Sequence, residues 1–177
     1  MKALKFTKIA LKDYKHVGAL VPSSKFVAKK IAGKVEKKKF IVEYGAGDGV
    51  ITKEILKKIS LNSELIAFEL NKDLFAKLEK IGDNRLKSIN DDVERAASYL
   101  NKKAEVIISG IPFSLLDRKK REEIIEKTSY LLEPGGIFIL YQTSPLVRPI
   151  LKRYFRRVRM RLEPRNLPPY FILVAEK

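Results

Sequence analysis

The chain has 177 residues, 45% of them hydrophobic, which is enough for one domain with a substantial core. The 37 basic and 21 acidic residues give a net charge of +16, which favours a phosphate-bearing partner, nucleic acid or anionic lipid, unless lysine is simply frequent throughout the chain. The absence of cysteine excludes disulfides and thiolate metal sites, and no apolar run approaches the roughly 18 residues that span a bilayer.

Residues 2–15 alternate apolar side chains with lysines and predict a short basic amphipathic helix. Such a helix either packs on its own domain or lies on an anionic membrane surface. The segment lacks the continuous apolar stretch of a secretory signal, so we expect a cytoplasmic protein. Ser23 or Ser24 is a suitable N-cap for a following helix at Lys25–Val35. Its expected apolar face consists of Phe26, Val27, Ile31 and Val35.

Three alternating glycines, Gly45, Gly47 and Gly49, separate a buried strand from an amphipathic helix. The strand is predicted from the apolar run at Phe40–Val42, and the helix from the spacing of the apolar residues that begin at Val50. Glycines at such a turn let backbone N–H groups come close to a ligand. The pattern favours a nucleotide-like ligand over a merely tight turn.

The rest of the chain continues to alternate strands and helices. Further strands are predicted at Leu65–Leu70, Arg85–Ile89, Glu105–Ser109, Ile137–Tyr141, Phe155–Leu162 and Tyr170–Ala175. Helices are predicted after the caps Asn71 and Asp117, over Val93–Leu100 and over Pro145–Tyr154. This order predicts an α/β fold with a Rossmann-like sheet of seven strands. The sheet is mostly parallel, with helices on both faces and a C-terminal antiparallel hairpin.

Polar or glycine-rich segments follow the predicted strands at their carboxyl ends, where open parallel sheets bind ligands. These segments are Glu43–Gly49, Glu69, Asp91–Asp92 and Ser109–Ser114. In the last strand pair, Arg157, Arg159 and Arg161 are expected on one face, with Val158, Met160 and Leu162 on the other. The arginines are either a phosphate-binding surface or charges that keep an edge strand soluble.

The glycine spacing narrows the choice of ligand. A dinucleotide fold uses Gly-x-Gly-x-x-Gly, and here the third glycine comes one residue early; no Gly-Lys-Ser/Thr follows that would indicate a P-loop. S-adenosylmethionine has no phosphate and needs close backbone approach instead. Glu69 is placed to accept from both ribose hydroxyls, and Glu43 with the glycine loop to hold the aminoacyl end. Asp92 is expected at the adenine amine, with Val93 and Ile51 as apolar contacts.

The chain resembles class I S-adenosylmethionine-dependent methyltransferases. More narrowly it resembles the bacterial phospholipid N-methyltransferases, which are relatives of the ribosomal RNA adenine dimethyltransferases. The resemblance covers nearly the whole chain and rests on these motifs: Val17-Gly-Ala-Leu-Val-Pro-Ser-Ser24, Val42-Glu-Tyr-Gly-Ala-Gly-Asp-Gly-Val50, Ile108-Ser-Gly-Ile-Pro112, Leu132-Glu-Pro-Gly-Gly136 and Asn166-Leu-Pro-Pro169.

The resemblance implies a single domain, with residues 1–35 as a helical lid or membrane-contacting segment and 36–177 as the cofactor-binding sheet. It implies S-adenosylmethionine as cofactor, S-adenosylhomocysteine as product, no metal and no obligate protein partner. The expected cofactor contacts are Glu43, Gly45, Ala46, Gly47, Gly49, Val50, Ile51, Glu69, Leu70, Asp91, Asp92, Val93 and Ser109. The expected catalytic segment is Ser109, Gly110, Ile111, Pro112 and Phe113, with Tyr14 and Tyr141.

The implied reaction is methylation of the amine of phosphatidylethanolamine by a protein bound peripherally to an anionic or zwitterionic membrane. The alternative is a nucleic-acid methyltransferase, in particular one acting on ribosomal RNA adenine. Adenine-modifying relatives carry Asn-Leu-Pro-Tyr where this chain has Gly110-Ile-Pro-Phe113, so the asparagine side chain that holds the target amine is missing. The candidates for the base that deprotonates the amine are Tyr14, His16, Tyr141 and Tyr170, besides a water or a lipid phosphate.

Overall fold

A computed structural model describes residues 25–177. The helix predicted over residues 2–15, the caps Ser23 and Ser24, and the candidate bases Tyr14 and His16 lie outside the described residues. In the described part, the five α-helices are α1 (Lys25–Ala32), α2 (Val50–Leu56), α3 (Lys72–Glu79), α4 (Arg118–Leu131) and α5 (Arg148–Tyr154). Short 3₁₀ helices occupy Val93–Ser98 and Phe113–Leu115.

A seven-stranded sheet forms the centre of the molecule, with strand order β3-β2-β1-β4-β5-β7-β6. The strands are β1 (Phe40–Tyr44), β2 (Glu64–Phe68), β3 (Leu86–Ile89), β4 (Ala104–Ser109), β5 (Leu132–Gln142), β6 (Arg157–Glu163) and β7 (Tyr170–Glu176). The first five strands are parallel to one another, and β7 pairs antiparallel with both β5 and β6. The predicted Rossmann-like sheet with its C-terminal hairpin is confirmed.

Helices cover both faces of the sheet because adjacent strand residues point to opposite sides. On one face, Ile41, Leu65 and Ile108 pack with apolar residues of α1 and α2. On the other, Val42, Ile107 and Phe138 belong to a cluster that includes residues of α4 and α5. The apolar runs read as buried strands in the sequence are therefore buried on both sides.

Three elements differ from the prediction. The fifth strand begins at Leu132 rather than Ile137, because Gly135 takes a positive φ of 77° and the pairing with β4 shifts register between Ala104 and Val106. The segment predicted as a helix at Val93–Leu100 is a 3₁₀ turn. Phe26, expected on the apolar face of α1, is 48% exposed; its ring lies under the guanidinium of Arg165.

The arginines of β6 alternate with apolar residues as predicted, but the alternation does not bury the apolar set. Val158 packs against the core, whereas Met160 and Leu162 are 36% and 50% exposed. Within residues 25–177, no helix is long and apolar enough to cross a membrane.

Candidate functional site

The glycine loop connects β1 to α2 at the carboxyl edge of the sheet. Gly45, Gly47 and Gly49 all have a positive φ, between 62° and 81°, a region that residues with a Cβ seldom adopt. The amide of Ala46 donates to the carbonyl of Phe68 at the end of β2, at 3.0 Å. The loop is thereby tied across two strands, and the glycines are needed for its backbone shape as well as for close approach.

Glu69 follows β2 and ties the glycine loop to the next helix. Its Oε2 accepts from the amide of Gly47 and its Oε1 from the amide of Asn71, both at 2.8 Å. Asn71 caps α3, accepting from the amides of Asp73 and Leu74. The carboxyl group is 6% exposed, and burial raises the pKa of Glu69. The Glu69 carboxylate thus fixes both the glycine loop and the start of α3.

A cavity of about 280 Å³ lies at this edge. Its wall brings together ten of the residues that the sequence proposed for the site: Gly45, Gly47, Glu69, Leu70, Asp91, Asp92, Val93, Gly110, Ile111 and Pro112. They come from segments that follow four neighbouring strands, β1 to β4. The grouping rests on the parallel arrangement of these strands, which places all four carboxyl ends together.

Asp91 and Asp92, after β3, differ in how they are held. Asp91 accepts from the hydroxyl of Tyr99 at 2.5 Å and pairs with Arg95 at 2.8 Å, and the tyrosine hydrogen bond lowers the pKa of Asp91. Asp92 accepts from the amide of Glu94 through Oδ1, and burial raises the pKa of Asp92. Asp91 therefore shapes the wall, while Asp92 is the better placed of the two to accept from a ligand.

Glu43 lies beneath the glycine loop rather than in the cavity wall. Its side chain is fully buried, and its Oε2 accepts from the hydroxyl of Thr52 at 2.6 Å. Its Oε1 has no hydrogen-bond partner within residues 25–177. Burial raises the pKa of Glu43 from 4.5 to about 8. A direct contact of Glu43 with the aminoacyl end of a ligand remains a prediction.

The raised pKa of Glu43 makes the stability of the fold depend on pH. Between pH 4.5 and about 8 the folded state keeps a proton that the unfolded state has lost, so the free energy of unfolding falls as pH rises. Glu43→Gln is neutral throughout. We expect urea unfolding to show nearly equal stability of wild type and Glu43→Gln near pH 4.5, and a variant more stable than wild type by about 4 kcal/mol near pH 8. The exposed control Glu36→Gln should follow the wild-type pH dependence; a Glu43→Gln curve parallel to wild type would contradict this assignment.

Several other predicted site residues do not line the cavity. Val50 and Ile51 belong to the cluster on the α1–α2 face of the sheet, because the first turn of α2 points its apolar side chains there. Ala46 packs with Ala67 and Leu78 under α3. The adenine contact expected of Ile51 remains a prediction.

The segment after β4 is divided between the cavity and the core. Gly110, Ile111 and Pro112 line the cavity. Ser109 is fully buried and Phe113 is 1% exposed. The amide of Phe113 donates to the side chain of Gln142 at 3.1 Å, which anchors the turn to β5. Phe113 therefore holds the turn in place from the core side.

Gly110 and Tyr141 are in close contact at the start of that turn. A Cβ on Gly110 would lie 2.1 Å from the Tyr141 hydroxyl oxygen and 3.0 Å from the carbonyl oxygen of Gly45. The Tyr141 ring is 8% exposed and lies 6.0 Å from that of Tyr170. The tyrosine hydroxyl thus occupies the place of a side chain at position 110.

The sequence did not single out the second wall of the cavity. It comes from helix faces and turns whose residues carry no motif: Phe68, Asn71, Asp73, Leu74, Lys77, Glu94, Leu115, Leu116, Lys120 and Ile124. Lys120 forms an ion pair with Glu94 across this wall. The caps Asn71 and Asp117 were predicted from the sequence, and both are confirmed; they were the available signals for that side of the cavity.

Known proteins are similar to this chain in sequence. A family model described as a methyltransferase domain matches residues 41–136. Over 170 residues the chain is 28% identical to an ornithine lipid N-methyltransferase of Singulisphaera acidiphila, covering 89% of this chain and 88% of that protein. It is 37% identical over 76 residues to ribosomal RNA small subunit methyltransferase A of Metamycoplasma arthritidis, covering 42% of this chain and 28% of that protein.

The fold is also similar to a solved structure. The 1,6-didemethyltoxoflavin-N1-methyltransferase of Burkholderia thailandensis, with bound 1,6-didemethyltoxoflavin and S-adenosylhomocysteine, superposes with a TM-score of 0.75. The alignment covers 99% of this chain and 88% of that one, at 15% identity. This likeness shows the fold.

Proposed function

Since the chain belongs to the methyltransferase domain family and uses S-adenosylmethionine, we propose that it methylates the amine of a membrane phospholipid headgroup, that of phosphatidylethanolamine. The observation that carries this proposal is the similarity to an ornithine lipid N-methyltransferase over almost the full length of both proteins, which supports a lipid amine as acceptor. The choice of phosphatidylethanolamine comes from the motifs shared with the phospholipid N-methyltransferases. The similarity to the ribosomal RNA enzyme spans under half of this chain.

The structure fits the cofactor. The wall of the cavity has a glycine-lined stretch with open backbone at Gly45 and Gly47, and an acid, Glu69, held by two backbone amides. Glu69 would hold the ribose hydroxyls, and Asp92 with Val93 would hold the adenine. S-adenosylmethionine supplies a methyl group on a positively charged sulfur.

The acceptor amine must reach the turn Gly110–Pro112 as a neutral nucleophile. Its attack on the methyl carbon is an in-line displacement, in which orientation provides much of the rate. Of the proposed bases, Tyr141 lies against Gly110, and this proximity supports the proposal that its hydroxyl orients the amine. Tyr170 packs against Tyr141 and supports the ring from behind.

The turn after β4 favours a lipid amine over an adenine. The family of adenine-modifying enzymes that the chain resembles uses an asparagine side chain at the position of Gly110, and here the Tyr141 hydroxyl fills that space. Methylation of ribosomal RNA adenine remains the second candidate, supported by the matching segment of the ribosomal RNA enzyme.

The test is transfer of labelled methyl from S-adenosylmethionine to three acceptors in parallel: phosphatidylethanolamine vesicles, ornithine lipid vesicles and ribosomal RNA. We expect label in phosphatidylethanolamine, and phosphatidylcholine vesicles serve as the control because that headgroup is already fully methylated. Label in ribosomal RNA alone would contradict the proposal. Label in ornithine lipid alone would keep an aminolipid as substrate and exclude phosphatidylethanolamine.

A membrane substrate also gives a role to the N-terminal segment. We propose that residues 1–35 form the lid or membrane-contacting part of a single domain, which works at the cytoplasmic face of the membrane as a peripheral protein. The lysines at positions 2, 5 and 8 supply charge for anionic headgroups, each contributing about 1 kcal/mol near the surface.

A further inference from the structure

An exposed group of apolar and basic side chains lies on β6, the last strand in the order of the sheet, and on its neighbours. It lies at the carboxyl end of β6, around the connector to β7, and beside α1. We call it the hairpin patch; its members are Phe26, Arg161, Leu162, Arg165 and Leu167, which surround the tip of the hairpin, with Arg161 and Leu162 on opposite faces of β6. The three apolar side chains are 48%, 50% and 82% exposed. Leu162 and Leu167 belong to none of the core clusters of the described residues, and the ring of Phe26 contacts the guanidinium of Arg165.

The hairpin patch lies at the same edge of the sheet as the cavity. Leu162 pairs with Phe171, which pairs with Gln142, the last residue of β5. Two residues before Gln142 on β5, Leu140 pairs with Ser109, where β4 ends and the acceptor turn begins. A flat surface that contacts the hairpin patch would therefore meet the edge of the sheet at which the cavity lies.

The connector between β6 and β7, which carries Arg165 and Leu167 of the hairpin patch, is held by several side-chain contacts. Glu163 is fully buried and binds Arg165 through Nε at 2.6 Å and Lys30 through Nζ at 2.6 Å. The Arg165 guanidinium lies 4.4 Å from the centre of the Phe26 ring. The Asn166 amide donates to the carbonyl of Pro168 at 2.9 Å. These contacts present Leu167 on an ordered tip.

The charge of this region has one sign towards solvent. Residues 155–169 contain five arginines and one acid. That acid is Glu163, which is buried and neutralised by the two cations described above. Within residues 155–169 the exposed charged side chains are therefore all basic. Arg159 pairs with Glu176 of β7, and the net positive charge of the other arginines is complementary to anionic phosphate.

We propose that the hairpin patch is a docking surface for an anionic phospholipid bilayer, with Leu162, Leu167 and Phe26 entering the interface and the arginines contacting lipid phosphates. The inference rests on the proposed lipid substrate and adds where the membrane lies against the protein. Bilayer interfaces bind amphipathic surfaces through buried apolar area together with attraction to anionic lipids. Exposed leucines beside arginines match this combination better than they match RNA, which is bound through phosphate contacts and base stacking on aromatic rings.

Vesicle sedimentation of the full chain tests the docking surface. The vesicles are phosphatidylcholine alone or mixed with phosphatidylglycerol. We expect wild type to bind the mixed vesicles and Leu162→Ser/Leu167→Ser to lose about tenfold in partition coefficient, because two apolar side chains no longer enter the interface. Arg161→Glu reverses one charge and should lose about tenfold on anionic vesicles alone.

Matched controls come from the amino ends of the parallel strands, opposite the carboxyl ends at which the cavity lies. Leu61 is 92% exposed at the turn before β2, and Lys58 is exposed nearby. Leu61→Ser and Lys58→Glu should bind vesicles as wild type does. Equal losses of vesicle binding in the patch variants and in these control variants would overturn the proposal, since they would indicate a nonspecific response to charge and hydrophobicity. Calorimetry with S-adenosylhomocysteine and thermal unfolding verify that each variant is folded.

The proposed substrate and the docking surface fail separately. Short-chain phosphatidylethanolamine dispersed as monomers needs no bilayer, so its methylation by wild type tests the substrate alone. If wild type methylates it and the patch variants sediment with vesicles as wild type does, the docking surface is wrong and the function stands. If the patch variants keep vesicle binding but lose ribosomal RNA binding, the hairpin patch is a nucleic-acid surface, which also overturns the proposal.

Discussion

Replacing Glu69 by glutamine or alanine is expected to lower the affinity for S-adenosylhomocysteine by about 100-fold or more. Glu69 accepts two backbone hydrogen bonds, from Gly47 and Asn71, and is proposed to accept the ribose hydroxyls as well. A hydrogen bond to a charged group contributes about 1.5–3 kcal/mol, so two or more such bonds account for a loss of this size. In Glu69→Gln the new amide NH₂ faces one of the backbone N–H donors, so the isosteric variant is expected to lose affinity too.

Isothermal titration calorimetry with S-adenosylhomocysteine measures the effect of Glu69. Glu79→Gln is the matched control, because it removes the same charge from the exposed end of α3, away from the cavity. Thermal unfolding separates loss of binding from loss of fold. Unchanged binding by a folded Glu69→Ala would show that the cofactor lies elsewhere.

Gly110→Ala is expected to reduce methyl transfer by at least about 100-fold. The new Cβ would lie 2.1 Å from the Tyr141 hydroxyl oxygen, far inside contact distance, so the turn or the ring must move. The ring is packed against Tyr170 and has little room. Overpacking costs about 1–3 kcal/mol in stability, and a displacement of about 1 Å at the reacting groups is enough for a 100-fold loss of rate.

A double-mutant cycle with Tyr141→Ala isolates this contact. Most of the clash is with the tyrosine, so Gly110→Ala should destabilise the Tyr141→Ala protein less than it destabilises wild type; a residual cost remains from the Gly45 carbonyl at 3.0 Å. Gly33→Ala is the control, because its Cβ would have no neighbour nearer than 3.4 Å. Equal destabilisation in both backgrounds would refute the assigned contact.

The sequence predicted the features that are local or repetitive. Alternation of strands and helices gave the sheet, and the three glycines gave a turn that the structure builds with positive φ at each of them. Because carboxyl ends of parallel strands meet, the same reasoning placed Glu69, Asp92 and Gly110 around one cavity.

Features that depend on contacts distant in the chain were not predictable. The burial of Glu43 depends on how α2 lies over β1, and the approach of Tyr141 to Gly110 depends on the register of β5. Lys120 and Ile124 line the cavity because α4 packs across the sheet, and the sequence near them carries no motif for it. Phe26 follows the apolar period of α1 but is half exposed, and the residue that contacts its ring, Arg165, is 139 residues away in the chain.

We propose that this protein transfers the methyl group of S-adenosylmethionine to the headgroup nitrogen of phosphatidylethanolamine. The most direct measurement is NMR of the lipid recovered after reaction with S-adenosylmethionine carrying a ¹³C-labelled methyl group. We expect a labelled N-methyl resonance on the ethanolamine headgroup, absent when Glu69→Ala replaces wild type. Label found only on ribosomal RNA, with none on the lipid, would contradict it.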